Sequence, residues 1–217
     1  MSTDFTVLQA NKSDVNKLVE LENKSWVPEL QASRETILKR LELGHIMLCV
    51  PNSEGNKFIG KICFAYSNFS PRDFNSFPKK FIHFANPIFT FFRNAAFIYD
   101  LDIDPEYRGG GKLASFLIKE AIRKAKKIGC KYVVGDGRCP SYNGSRREKI
   151  KKSLDFRKEI DTYLKEVKFP AQNDFLLDPI LAFYHRITGC NFLWIIPDFI
   201  PEDKASGGIR VILYKEI

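Results

Sequence analysis

The stretch that most restricts the fold is Arg108-Gly109-Gly110-Gly111-Lys112. It joins an apolar, β-favouring run, Ala95 to Ile103, to a segment in which Leu113, Leu117, Ala121, Ile122, Ala125 and Ile128 recur at helical spacing. A strand that enters a helix through three glycines reads as an anion site, its plain alternative being a Gly-rich helix cap without a ligand. Glycine lets successive backbone N–H groups converge, and the helix N-terminus adds partial positive charge. Spacing excludes the two common phosphate loops. A P-loop needs a glycine five residues before its Gly-Lys pair and a Ser or Thr after it, and those positions hold Glu106 and Leu113. A dinucleotide G-x-G-x-x-G has only Ala114 for its last place, and no acidic ribose partner follows a second strand.

The rest of the chain sets the class. With 217 residues, 44% of them hydrophobic, it can bury one good core, so a single domain over 1–217 is expected. The formal net charge of +8 favours anionic ligands, but the basic residues read as scattered and not as a tail, which does not point to nucleic acid. Cys49, Cys63, Cys130, Cys139 and Cys190 lack CxxC spacing, against both a disulfide framework and a zinc site; no metal is expected. No apolar signal core and no apolar run of about 18 residues is present, so a reducing, cytoplasmic setting without a membrane follows.

Periodicity orders the elements. Thr6 to Gln9 reads as a strand, a helix capped by Ser13 or Asp14 runs to Ser25, and a second helix begins near Ser33 and stops at Gly44. His45 to Val50 and Phe58 to Tyr66 form a hairpin over Asn52 to Gly55, and Ala95 to Ile103 is the fourth strand. After the glycine turn come a helix to Ile128, a strand at Lys131 to Val134, helices at Ile150 to Val167 and Pro179 to Ile187, and strands at Phe192 to Ile196 and Ile209 to Tyr214.

This order, together with "LDIDPEYRGGGKLASFLI", resembles the GNAT superfamily of acyl-CoA-dependent N-acyltransferases over almost the whole chain. The superfamily's signature is Arg/Gln-x-x-Gly-x-Gly/Ala at the start of the third helix. Arg108-x-x-Gly111 matches it; Leu113 stands where Gly or Ala is usual, and Ala114 comes one residue later. The resemblance implies a GNAT fold: an α/β (α+β) domain with a central mixed, mostly antiparallel sheet, splayed between strands 4 and 5 and flanked by helices. It also implies that Arg108, Gly109, Gly110, Gly111, Lys112, Leu113 and Ala114 hold the pyrophosphate of acetyl-CoA. Leu101, Asp102 and Ile103 would pair by their main chain with the pantetheine arm.

The resemblance further implies direct transfer, with a base for the acceptor amine and an acid for the departing thiolate. Asp136 in "VVGDGR" occupies a base position, its alternative reading being an Asp-Gly turn residue. Asp100 and Asp102 are alternatives, unless their alternation turns them to solvent. "LAFYHRITGCNF" resembles the superfamily's A-x-x-F-Y-x-x-x-G-F helix, which places Tyr184 as the acid when counted from its front and His185 when counted back from Gly189. A core tyrosine and a surface histidine are the plain alternatives.

"GDGRCPSY", "LLDPILAFY" and "PDFIPEDKASGGIRVILY" are similar to a subgroup of large bacterial GNAT proteins and to GNAT-like domains that load acyl groups in polyketide assembly. Two insertions are expected. Residues 69–94 are rich in phenylalanine, which implies a supplementary core or a contact in a homodimer. Residues 137–177 hold an amphipathic helix with a basic first half, either a solvated face or a surface for an acidic carrier protein. Three functions follow as expectations: N-acyl transfer to an amine of a small molecule or protein, S-acyl transfer or loading on a carrier protein, and CoA binding without turnover.

Overall fold

The computed structural model describes residues 5–75, 77–81, 94–138 and 179–217. The expected helix at Ile150 to Val167, and nearly all of the 137–177 insertion, lie outside the described residues. The elements follow in the expected order: β1 (Leu8–Gln9), α1 (Val15–Ser25), α2 (Arg34–Glu42), β2 (Ile46–Pro51), β3 (Phe58–Ser67), β4 (Ala95–Ile103), α3 (Lys112–Lys127), β5 (Tyr132–Gly137), α4 (Pro179–Thr188), β6 (Asn191–Ile196) and β7 (Arg210–Glu216). The fold is mixed α/β, with strand order β1-β2-β3-β4-β5-β7-β6, antiparallel except where β5 lies beside β4. The chain divides into two compact units, residues 1–68, 85–133 and 217 in the first and residues 69–84 and 134–216 in the second, so one of its changes of unit falls inside β5.

In the first unit, α1 and α2 lie on one face of the β1–β4 sheet. Val15, Leu18 and Leu21 of α1 and Ile37 of α2 pack with Met47, Cys49 and Cys63 of the strands, all buried. Asp14 is the N-cap residue of α1, one of the two expected, but its side chain makes no cap bond to α1; it pairs instead with Asn11, which caps a short 3-10 turn, Lys12–Asp14, ahead of the helix. Ser33 caps α2 as expected, accepting from the Thr36 N–H. α3 packs on the opposite face. Gly60 of β3 makes room for it, because a Cβ there would lie 3.1 Å from Leu113 Cδ2 and from Leu117 Cδ1.

In the second unit, Leu181 of α4 packs with Ile195, Val211 and Leu213 of the antiparallel β6–β7 pair. Here β5 is longer than expected and runs through Gly137, because that glycine serves close packing and not a turn: a Cβ would come within 2.4 Å of Leu181 Cδ2. Three phenylalanines of the first insertion pack on the other face of the β6–β7 pair, because Trp194 points away from its neighbour Ile195. Phe69, Phe74 and Phe77 place their rings 6.1, 5.2 and 5.2 Å from that of Trp194.

Candidate functional site

The glycine turn lies wholly in the first unit. Gly110 and Gly111 have φ of +56° and +66°, the left-handed region that side chains resist, and Gly111 is the N-cap of α3. The first intrahelical bond runs from Ser115 N–H to Gly111 C=O, so the N–H groups before it in the first turn have no intrahelical acceptor. No acidic side chain occupies that turn. Leu113, the departure from the signature, points into the core at 4% exposure against Gly60, which leaves its backbone N–H on the turn. The Arg108 side chain is a strut: Nε donates to Ile103 C=O at 2.9 Å and a terminal nitrogen to Ser25 C=O, at the end of α1, at 3.0 Å.

β4 leads into this turn. Asp104 N–H donates to Ile59 C=O, and antiparallel alternation then turns the backbone groups of Asp102 toward β3 and those of Leu101 and Ile103 to the other edge. The register shifts opposite Cys63 and Phe64, a bulge at Tyr99 that sets Asp100 and Asp102 on the α1 face. There they are buried, contrary to the solvent-facing alternative, because α1 covers that face. Lys61, 1% exposed, sits among Glu22 (2.5 Å), Asp100 (2.8 Å) and Asp102, and the Trp26 indole N–H donates to Asp102. Burial would lower the Lys61 ammonium, but Asp100 and Asp102 keep it charged and raised. Burial also raises Asp102, with the Asp100 charge adding to it, while Lys61 overcomes burial at Asp100 and holds it at about 2. These three carboxylates have metal-like spacing, but the ammonium among them acts as their cation.

In the second unit Asp136 lies inside β5, not in a turn, and accepts from Arg210 Nε at 3.0 Å. Arg210 also meets Ser206 and Asp203, and Asp203 receives a two-pronged bond from Arg138 at 2.8 Å on each oxygen. The Arg138 and Ser206 hydrogen bonds and the Arg210 charge hold the Asp203 carboxyl below its ordinary range. Tyr184 is half-buried against the Leu181–Leu213 core. His185 is also half-buried, not a surface residue, and its Nδ1 lies 3.0 Å from Cys190 C=O. A carbonyl only accepts, so Nδ1 carries the proton and, in the neutral ring, Nε2 keeps the lone pair.

A sequence model described as the Acetyltransferase (GNAT) family matches residues 15–141, more than half of the chain, from the start of α1 through the glycine turn and β5. The chain belongs to that family. Among solved structures it is similar to the loading GNATL domain of CurA from Lyngbya majuscula, at 20% identity and TM-score 0.71 over 98% of this chain and 97% of that one. It is similar also to the GphF GNAT-like decarboxylase in complex with isobutyryl-CoA, at 22% identity and TM-score 0.70 over 97% and 98% of the two chains. The ribosomal-protein-S18-alanine N-acetyltransferase of Escherichia coli follows at 12% identity and TM-score 0.57 over 98% and 94%. No curated protein sequence matches the chain. For this GNAT chain the family match covers the turn and Asp136 but stops short of Tyr184 and His185. Sequence reading missed the Lys61 cluster and the Arg138–Asp203–Arg210 network. The first had a signal, a lysine inside the apolar run "FIGKICF"; the second had none, since its members are far apart in the chain.

Proposed function

We propose that this chain transfers an acyl group, acetyl by default, from acyl-CoA to an amine by direct attack. The observation that carries the reading is the turn at Gly109 to Leu113, whose free N–H groups stand beside the outward backbone edge of Leu101 and Ile103, all in one unit. The turn suits a pyrophosphate, and the edge suits the amides of a pantetheine arm. The backbone of Leu101 and the N–H of Ile103 would make those main-chain bonds, the Ile103 C=O already accepting from Arg108 Nε and Ser25 Oγ, while the Asp102 carboxylate anchors Lys61.

The acceptor nitrogen would attack the thioester carbonyl carbon and lose a proton to a base, the C–S bond would break, and the thiolate would take a proton from the Tyr184 hydroxyl. Asp136, which accepts from Arg210 Nε, is the base candidate. The described cysteines do not suit a relay: Cys49, Cys63, Cys130 and Cys190 are buried, and burial raises the thiols of Cys49, Cys63 and Cys190. We assign the reaction to the cytoplasm, with residues 1–217 as one acyltransferase domain.

A second reading, S-acyl transfer or loading on a carrier protein, draws on the tautomer of His185. Its Nε2 lone pair could take the proton of a carrier thiol, which would then attack the thioester. Native mass spectrometry with acetyl-CoA, followed by an amine panel and a phosphopantetheine thiol, separates the readings. The expected result is a CoA-bound mass and acetyl transfer to an amine. Transfer only to the thiol moves the assignment to the second reading, and binding without turnover leaves a CoA-binding regulator.

A further inference from the structure

The segment from Lys112 to Lys131 contributes +6 of the chain's formal net +8, with seven Lys and Arg against the single acid Glu120. Within α3 itself six Lys and Arg face one acid, a local excess of +5 on a single helix. At about 100° per residue, Lys112, Lys119, Arg123, Lys126 and Lys127 share an arc of about 100°, opposite the buried Leu117, Ala121 and Ala125. All five are exposed. The stripe runs the length of the helix, about 22 Å, and starts at the glycine turn. Among the described residues, Arg123 alone within the stripe has a carboxylate within ion-pair distance, Glu120 at 2.6 Å, so the four lysines keep their charge for a partner.

We infer that this stripe docks an acidic acyl carrier protein that takes the place of acyl-CoA as donor, its phosphopantetheine arm entering at the Gly109–Leu113 turn. The inference rests on the reading of that turn as the phosphate end of a pantetheine site. Coenzyme A and a carrier arm share the pantetheine and differ beyond its phosphate, where CoA continues as a nucleotide and the arm as a protein. A protein attached at that phosphate lies next to Lys112, where the stripe begins. Four lysines and one arginine make a row of point charges that suits carboxylates on a facing helix. Nucleic acid is the weaker match, because the aromatic ring within the arc, Phe116, is packed against Phe5 at 5.4 Å and is not offered to a base.

The test uses the full chain and a bacterial acyl carrier protein, with and without its phosphopantetheine, at low salt. The charge-reversed variant Lys119→Glu/Lys126→Glu/Lys127→Glu leaves the turn untouched. The holo carrier should bind the parent protein, should lose at least tenfold in affinity to the variant or to 0.3 M salt (about one-third of the 1 M at which screening reaches ~3 Å), and should bind more tightly than the apo carrier. CoA affinity by calorimetry should stay within about twofold in the variant. No holo-carrier binding, or binding indifferent to the reversal, overturns the docking surface. Equal binding of apo and holo carriers overturns arm entry at the turn, and tighter, reversal-sensitive binding of duplex DNA assigns the stripe to nucleic acid instead. Loss of CoA binding by the parent protein itself would instead fail the reading of the turn.

Discussion

His45 stands just before β2 with Nδ1 2.9 Å from the Tyr99 hydroxyl and a buried Nε2 that has no hydrogen-bond partner. Burial, helped by the nearby Arg40 charge, lowers its pKa to about 4. An unfolded chain takes up that proton near pH 6.5, and the folded one only near 4. Stability that is complete above about 6.5 is therefore lost as pH falls toward 4, at about 1.4 kcal/mol per unit. Urea unfolding of the full chain between pH 7 and 4.5 should give a steeper acid slope for the parent than for His45→Gln; equal slopes would refute this. Tyr184 and His185 differ on catalysis. A phenol ionises at about 10, near an alkyl thiol, and suits protonation of a leaving thiolate. Tyr184→Phe should lower turnover by about 10²-fold with acetyl-CoA affinity nearly unchanged, and His185→Ala should matter less. The reverse order would count the α4 register from Gly189 and favour the carrier-loading reading.

The turn between β4 and α3 needs glycine for two separate reasons. Gly110 and Gly111 adopt positive φ, so a side chain there strains the backbone before any ligand arrives. At Gly109 no positive φ is needed and a Cβ would meet nothing within 4 Å. Gly109→Val is therefore the cleaner probe: stability should stay within about 0.5 kcal/mol while CoA affinity falls more than tenfold. Calorimetry showing full affinity in this variant would remove the turn from the cofactor site. Gly60 does a different job on β3, admitting Leu113 and Leu117 of α3, and this is how a leucine is accommodated at the signature position where a small residue is usual.

Each of the two units holds a buried ionic knot, Lys61 with its carboxylates in the first and Arg138–Asp203–Arg210 in the second. Burial would raise Asp203, but hydrogen bonds from Arg138 and Ser206 and the Arg210 charge hold it at about 2. Its contribution is thus present above its unfolded value of about 4 and is lost as pH falls toward 2. Amide exchange, corrected for intrinsic rates, should show protection in β6 and β7 declining between pH 4 and 2, and Asp203→Asn should flatten that decline; an unchanged profile in the variant would exclude the knot as its cause.

What the sequence by itself determined is local. The caps, periodicities and glycine stops placed β4 at Ala95–Ile103 and α3 within a residue of its ends, and the Arg108–Gly111 spacing named the turn, because each depends on neighbours a few residues apart. Only the tertiary structure decided which charges face each other. Asp100 and Asp102 alternate like solvent-facing residues until α1 covers their face and Lys61 arrives from 39 residues away; Asp136 resembles a turn residue until Leu181 packs on Gly137 and Arg210 reaches its carboxylate. A basic stripe likewise emerges only when the helix brings residues seven, eleven and fourteen places apart onto one side, since charge along a chain carries no direction until the backbone is wound.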